Sequence, residues 1–177
     1  ADLTATTYMA IDDNYLYVSA DVIDNVFEYS SEGNWWDQDA LELFIGLWDQ
    51  NGKDIHKKGP ADSRGEEPDY KLVFVQDRFF NEYKNGGTTD PHLTPDPDGN
   101  GDYYFEEFGG SDYVLEAKIA LDSIAFGDDV RFHPENGMRI MFDLVYHDND
   151  APDDVGGGNL TWSPNNTDLA YLNQAEW

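Results

Sequence analysis

Apolar and polar residues alternate in short runs along this chain, and helical periodicity is nearly absent. Alternation with period two marks strands that bury one face. Residues Thr4 to Ile11 form the first such run, and Asp12-Asp13-Asn14 ends it in a turn, because Asx side chains bond their own backbone. Residues 15–22 return as a second strand, with Leu16, Val18, Ala20 and Val22 assigned to the core and Tyr15, Tyr17 and Ser19 to the opposite face. Residues 39–47 predict a third strand, with Leu41, Leu43 and Ile45 opposite Ala40, Glu42 and Phe44. Further strands are predicted at 70–76, 113–121 and 138–146, and a seventh opens at 159–162; one helical turn is expected at 121–126.

The connections at 49–68 and 81–101 are polar and rich in Gly, Pro and Asp. Loops longer than about 15 residues are uncommon and often functional or metal-organised. Many short strands with long polar loops predict an all-β fold, an antiparallel, jelly-roll-like β-sandwich. A length of 177 residues fits one domain, residues 1–177. The chain begins and ends inside strand-like runs, so it is expected to be a module cut from a longer protein.

Charge narrows the partners. The chain has 37 acidic and 10 basic side chains, a formal net charge of −27. Nucleic acid and anionic membrane surfaces would be repelled. Spare carboxylates are suited to hard cations. No stretch approaches the roughly 20 apolar residues of a membrane span. Cysteine is absent, which removes disulfides, zinc–thiolate sites and thiol nucleophiles. No G-x-S-x-G, H-E-x-x-H or phosphate-cradling loop is present. His56, His92, His133 and His147 are scattered, and so many acids make paired carboxylates uninformative. No catalysis is expected.

The sharpest local motif is Asp96-Pro97-Asp98-Gly99-Asn100-Gly101-Asp102, followed by Glu107. It fits the calcium-loop pattern D-x-[DN]-x-[DN]-G-x5-E at every fixed position. Oxygens of Asp96, Asp98, Asn100 and Asp102 would wrap Ca²⁺, and Glu107 would close the shell. An EF-hand also needs flanking helices, whereas Tyr103-Tyr104-Phe105 reads as strand. A second acidic knot, His147-Asp148-Asn149-Asp150 with Asp153 and Asp154, follows the sixth strand as either a cation site or a charged loop.

Aromatic residues give the third signal. Trp35 and Trp36 precede the third strand, Trp162 stands beside a Pro-Asn-Asn turn, and Tyr171 and Trp177 follow. Sugars present flat C–H patches that stack on rings and hydroxyls that need carboxylates, amides or cations. Trp is enriched at such amphipathic contacts.

The run Trp36-Asp37-Gln38-Asp39-Ala40-Leu41-Glu42-Leu43-Phe44-Ile45 resembles the W-x-x-D-x-[VL]-E-[IL]-F-[IV] segment of family 9 carbohydrate-binding modules. The stretches 15–22 with Asp24, 113–119, and 137–142 with Asp148 and Asp150 agree in order. The resemblance implies a non-catalytic β-sandwich with structural calcium that holds a terminal sugar of a glucan or xylan between two rings. Trp36 would be one ring, Glu42 a hydroxyl acceptor, and Trp162 or Tyr171 the second ring. Where the family carries an Arg, the fourth strand offers only Lys71, whose phase the pattern leaves open. The implied protein is an extracellular or cell-surface bacterial one, monomeric within a multidomain chain, binding a plant or algal polysaccharide. Two rivals remain at this point: a calcium-stabilised adhesive sandwich, and a haem-binding sandwich through Met9, Met138 or Met141.

Overall fold

In a computed structural model the chain folds as two antiparallel sheets packed face to face; residues 3–30, 33–54, 66–82, 102–125, 127–150 and 158–163 are described. The elements are β1 (Thr4–Ile11), β2 (Tyr15–Ile23), β3 (Ala40–Gly46), β4 (Asp69–Val75), β5 (Arg78–Asn81), β6 (Tyr103–Phe108), β7 (Asp112–Ala120), α1 (Leu121–Ile124), β8 (Met141–Asp148) and β9 (Gly158–Thr161). A 3-10 turn at Trp35–Asp37 precedes β3. One sheet has the order β1-β2-β7-β6 and the other β5-β4-β3-β8-β9.

The expected Asx turn is formed. Asp12 Oδ1 accepts the backbone N–H of Asn14 and of Tyr15, each at 2.8 Å. Those bonds hold its carboxyl below the usual range. Val18, Ala20 and Val22 of β2 meet Leu115, Ala117 and Ile119 of β7, Leu41 and Leu43 of β3, and Leu72 and Phe74 of β4 in one core. β3 and β4 are buried on both faces. This explains why Ala40, Phe44, Val73 and Val75 are apolar although they point away from that core, forming two small clusters of their own with Phe80 and Val145.

One strand lies outside the predicted set, and another extends a stretch, Tyr103-Tyr104-Phe105, that the sequence reads as strand. β5 is only four residues, too short to show alternation, and β6 follows directly on the calcium-like motif. The sixth predicted strand starts later, at Met141, because a turn closes at Gly137 (φ +92°), where the Met138 N–H bonds the Glu135 carbonyl. Gly46 is required by close approach: a Cβ there would stand 2.8 Å from Trp48 Nε1 and 3.0 Å from Asp69 Oδ1. Those two atoms hydrogen-bond each other at 2.8 Å in the interior.

Candidate functional site

The outer face of the five-stranded sheet carries a charged network under aromatic rings. Lys71 is in phase with Glu42: both leave their strands on the face opposite Leu41, Leu43 and Leu72. Glu42 is directly opposite Val73 and Val145, so Lys71 and His147 are its diagonal neighbours, within reach of long side chains. Lys71 Nζ lies 3.0 Å from Glu42 Oε1 and 2.7 Å from Glu82 Oε2. His147 Nε2 donates to the same Glu42 oxygen at 3.1 Å. Burial pushes the Glu42 carboxyl up, but the His147 hydrogen bond and the Lys71 charge outweigh it and hold the group below the usual glutamate range.

The rings lie over these groups. Trp35 places its ring centroid 4.5 Å from Lys71 Nζ, a cation–π contact, and meets His147 edge-on at 5.3 Å and Phe80 at 6.0 Å. Trp36 stands at 87° to Trp35, 5.4 Å away, with 46% of its surface exposed. The 3-10 turn holds both: the Asp37 N–H bonds the Asn34 carbonyl at 3.1 Å, and Asn34 Nδ2 bonds Asp37 Oδ2 at 2.8 Å. Trp36, Glu42 and Lys71 are therefore gathered in one region. Trp35, His147 and Glu82 join them: Trp35 belongs to the aromatic signal already read from the sequence, whereas His147 and Glu82 had been given no role there. Period-two counting from Glu42 along β3 and β8 carries the signal for His147; Glu82 follows β5, which the pattern did not reveal.

Trp162 is a correction to the expected pairing. It follows β9, its N–H bonds the Leu144 carbonyl, and its ring lies beside Phe142 at 6.3 Å. Leu144 faces the core while Glu42 and Val145 face outward, so Trp162 lies on the other face of the sheet from Glu42. It lines an open groove between β1 and β8–β9, with Met9, Thr7 and Tyr146. The alternative second ring, Tyr171, falls outside the described residues.

The expected calcium loop is also redrawn. Asp96, Asp98 and Asn100 fall outside the described residues. Asp102 is exposed, 3.7 Å from Lys118 Nζ. Glu107 lies five residues along extended β6, roughly 16 Å away, and its carboxylate accepts the Gly110 N–H. Asp102 and Glu107 cannot share one ion, because the strand that separates them is straight where an EF-hand would curl.

A different carboxylate set converges. Asp24 just after β2, Asp39 just before β3 and Asp148 at the end of β8 each offer an oxygen, all within 4.8 Å of one another. All three are buried. Asp39 accepts the backbone N–H of Glu28 at 2.7 Å and of Asn149 at 2.9 Å. Burial, aided by the charges of Asp24 and Asp148, pushes the Asp39 carboxyl up to about 7 against those bonds. Asn149 Oδ1 is buried, with no hydrogen-bond partner among the described residues. The donor set is all oxygen, the chemistry of a hard cation. Asp148 belonged to the acidic knot; only the topology reveals its partners, since three strand ends meet at one end of the sandwich.

A sandwich that sets an exposed indole beside a buried carboxylate–ammonium–imidazole network has the make of a sugar-binding module. Residues 1–177 match the family described as carbohydrate family 9 binding domain-like, and the chain belongs to this family of non-catalytic binding modules. It is 31% identical over 159 residues, 90% of its length, to endo-1,4-beta-xylanase A of Thermoanaerobacterium saccharolyticum. It is 32% identical over 159 residues to exoglucanase XynX of Acetivibrio thermocellus. The chain spans 11% and 12% of those proteins. The fold matches that of a family 9 carbohydrate-binding module from Caldicellulosiruptor kristjanssonii, solved with cellotriose and with glucose. In each case the TM-score is 0.63 at 23% identity, covering 100% and 99% of this chain and 73% and 74% of that one. Among the described residues no helix is long and apolar enough to cross a membrane.

Proposed function

We propose that this chain binds the end of a neutral glucan or xylan chain of plant or algal origin on the outer face of the five-stranded sheet. The observation that carries the reading is the convergence of Glu42, Lys71 and His147 beneath the Trp35–Trp36 pair. Trp36 offers a stacking surface for a pyranose C–H face. Glu42 Oε1 is committed to Lys71 and His147, so Oε2 is the oxygen that accepts a sugar hydroxyl. Lys71 and His147 act by fixing that carboxylate, ionised and in one orientation. Tyr171 is the second ring of the reading, and Trp162 has no part in it. The relatives named as a xylanase and an exoglucanase, and the fold neighbour bound to cellotriose, support the class of ligand.

Calcium belongs to the same proposal. Asp24, Asp39 and Asp148 would hold the ion, which would cancel the repulsion among three buried carboxylates and tie β2, β3 and β8 together at one end. The chain then works as a monomeric module of a longer extracellular or cell-surface protein.

The test is a glycan array run with Ca²⁺ and with chelator, followed by titration of any hit. Trp36→Ala is expected to weaken binding by about 1–3 kcal/mol, the scale of a lost hot-spot aromatic, with little change in melting temperature. Unchanged affinity with a sharply lowered melting temperature would show that Trp36 is a packing residue and would sink the reading.

A further inference from the structure

The four-stranded sheet turns a second patterned face to solvent. Its register places Tyr8, Ser19, Glu116 and Tyr104 in one row straight across β1, β2, β7 and β6. The adjacent row holds Tyr17 opposite Lys118. Among the described residues β1 and β6 are the two edges of this sheet, so the row runs from edge to edge with no described strand beyond it. Three strand spacings, about 14 Å, separate Tyr8 from Tyr104. These residues line an open depression of about 350 Å³. Tyr8 is 67% exposed, among the most exposed large hydrophobic side chains described.

Two of the tyrosines are held in place. The Tyr17 hydroxyl donates to Asp12 Oδ2 at 2.9 Å, and the Tyr104 hydroxyl donates to the Glu106 carboxylate. Tethering the hydroxyls leaves ring faces as the contact surface. Between the rings the floor is polar: a Ser19 hydroxyl, a Glu116 carboxylate and the Lys118 ammonium. That floor argues against a lipid or an apolar protein face, which would leave these groups without water. The charge argues against an anionic polymer, since Glu116, Asp102, Glu106 and Asp21 share this face with Lys118 in a chain of net charge −27. Rings at both edges with hydroxyl-binding groups between them fit a neutral sugar polymer. Among the described residues the row is open at both edges, which fits the interior of the polymer and not its terminus.

We propose that this face is a second glycan-binding surface, which takes internal segments of a neutral linear polysaccharide across the strands. It is separate from the chain-end site, which lies on the opposite outer face of the sandwich. One module would then contact two chains.

The test is affinity electrophoresis of the full chain in gels containing soluble arabinoxylan, mixed-linkage β-glucan or alginate, paired with calorimetric titration of cellotriose. Tyr8→Ala/Tyr104→Ala is expected to reduce retardation by a neutral polymer about tenfold, the scale of losing stacking rings. Tyr8→Phe/Tyr104→Phe keeps the ring faces and retains binding. Neither pair changes cellotriose affinity or melting temperature, and alginate retards no form. Trp36→Ala is expected to do the reverse, losing cellotriose while retaining retardation. Retardation of Tyr8→Ala/Tyr104→Ala equal to that of the parent chain overturns the proposal, as does failure of every neutral polymer to retard the Trp36→Ala form. Cellotriose binding unaffected by Trp36→Ala, with retardation lost in the tyrosine pair, would instead overturn the chain-end reading and leave this one standing.

Discussion

Lys71→Met isolates the electrostatics of the network with little change in volume. In the parent chain the ammonium lies 3.0 Å from Glu42 Oε1 and 2.7 Å from Glu82 Oε2, and Lys71 and Glu42 are each only 5% exposed. A methionine still fills the space under Trp35 but leaves Glu42 buried with His147 alone. Removing one partner of a buried pair costs about 3–5 kcal/mol at neutral pH. At roughly 2–4 °C per kcal/mol for a chain of this size, the melting temperature should fall by about 6–20 °C. The pH dependence identifies the cause. In the parent, the Glu42 carboxyl is held below its ordinary value of 4.5, so its contribution is present above that value and lost as pH falls through the lowered one. In the variant the lowering by the Lys71 charge is lost while the His147 hydrogen bond remains, so the folded-state value moves up from that of the parent. The native state of the variant then holds the proton more tightly than that of the parent. The penalty is therefore absent at low pH and grows as pH rises from the parent's value to the variant's. Urea denaturation at about pH 4 and about pH 8 should show a small loss at the first and most of the loss at the second. Equal losses at both would refute the account and assign the effect to packing.

Two further outcomes are expected. Calcium at one hundred times its Kd should stabilise the chain by about 2.7 kcal/mol, and excess chelator should remove that gain. Asp148→Asn should abolish most of this response and Asp98→Asn should leave it intact; a melting series in which monovalent salt reproduces the whole shift would point to screening alone. Gly46→Ala should lower stability by about 1–3 kcal/mol in thermal melts, because its Cβ would part the buried Trp48–Asp69 hydrogen bond; an unchanged melt would show that the neighbours yield freely.

The parts of the fold legible in the sequence are those in which one face is wet. β1, β2 and β7 alternate cleanly, and the core positions of β2 match the period-two reading residue by residue. β4 was placed within a residue, but both its faces are buried, so the phase of Lys71 had to come from pairing with β3. Trp36 and Glu42 were legible because seven consecutive residues of turn and strand carry both. Trp162 misled because a tryptophan beside a strand gives no clue to its face; one residue of register decides that. Glu107 matched a calcium pattern by spacing alone, and spacing means something different on an extended strand. The Asp24–Asp39–Asp148 cluster draws on positions 124 residues apart at its extremes, a distance no local pattern spans.

The connectivity of the sheets has a kinetic meaning. Among the described residues, five of the seven strand pairings join neighbours in sequence, and β2–β7 and β3–β8 join strands that are not. Hairpins close within microseconds, whereas distant pairings must first overcome loop-closure entropy. Lys71 can thus meet Glu42 while the β3–β4 hairpin is still alone. His147 and Asp148 arrive only when β8 docks. The Glu42 network is half-assembled early and completed in the slow step, so substitutions at Lys71 should slow folding while those at His147 chiefly hasten unfolding.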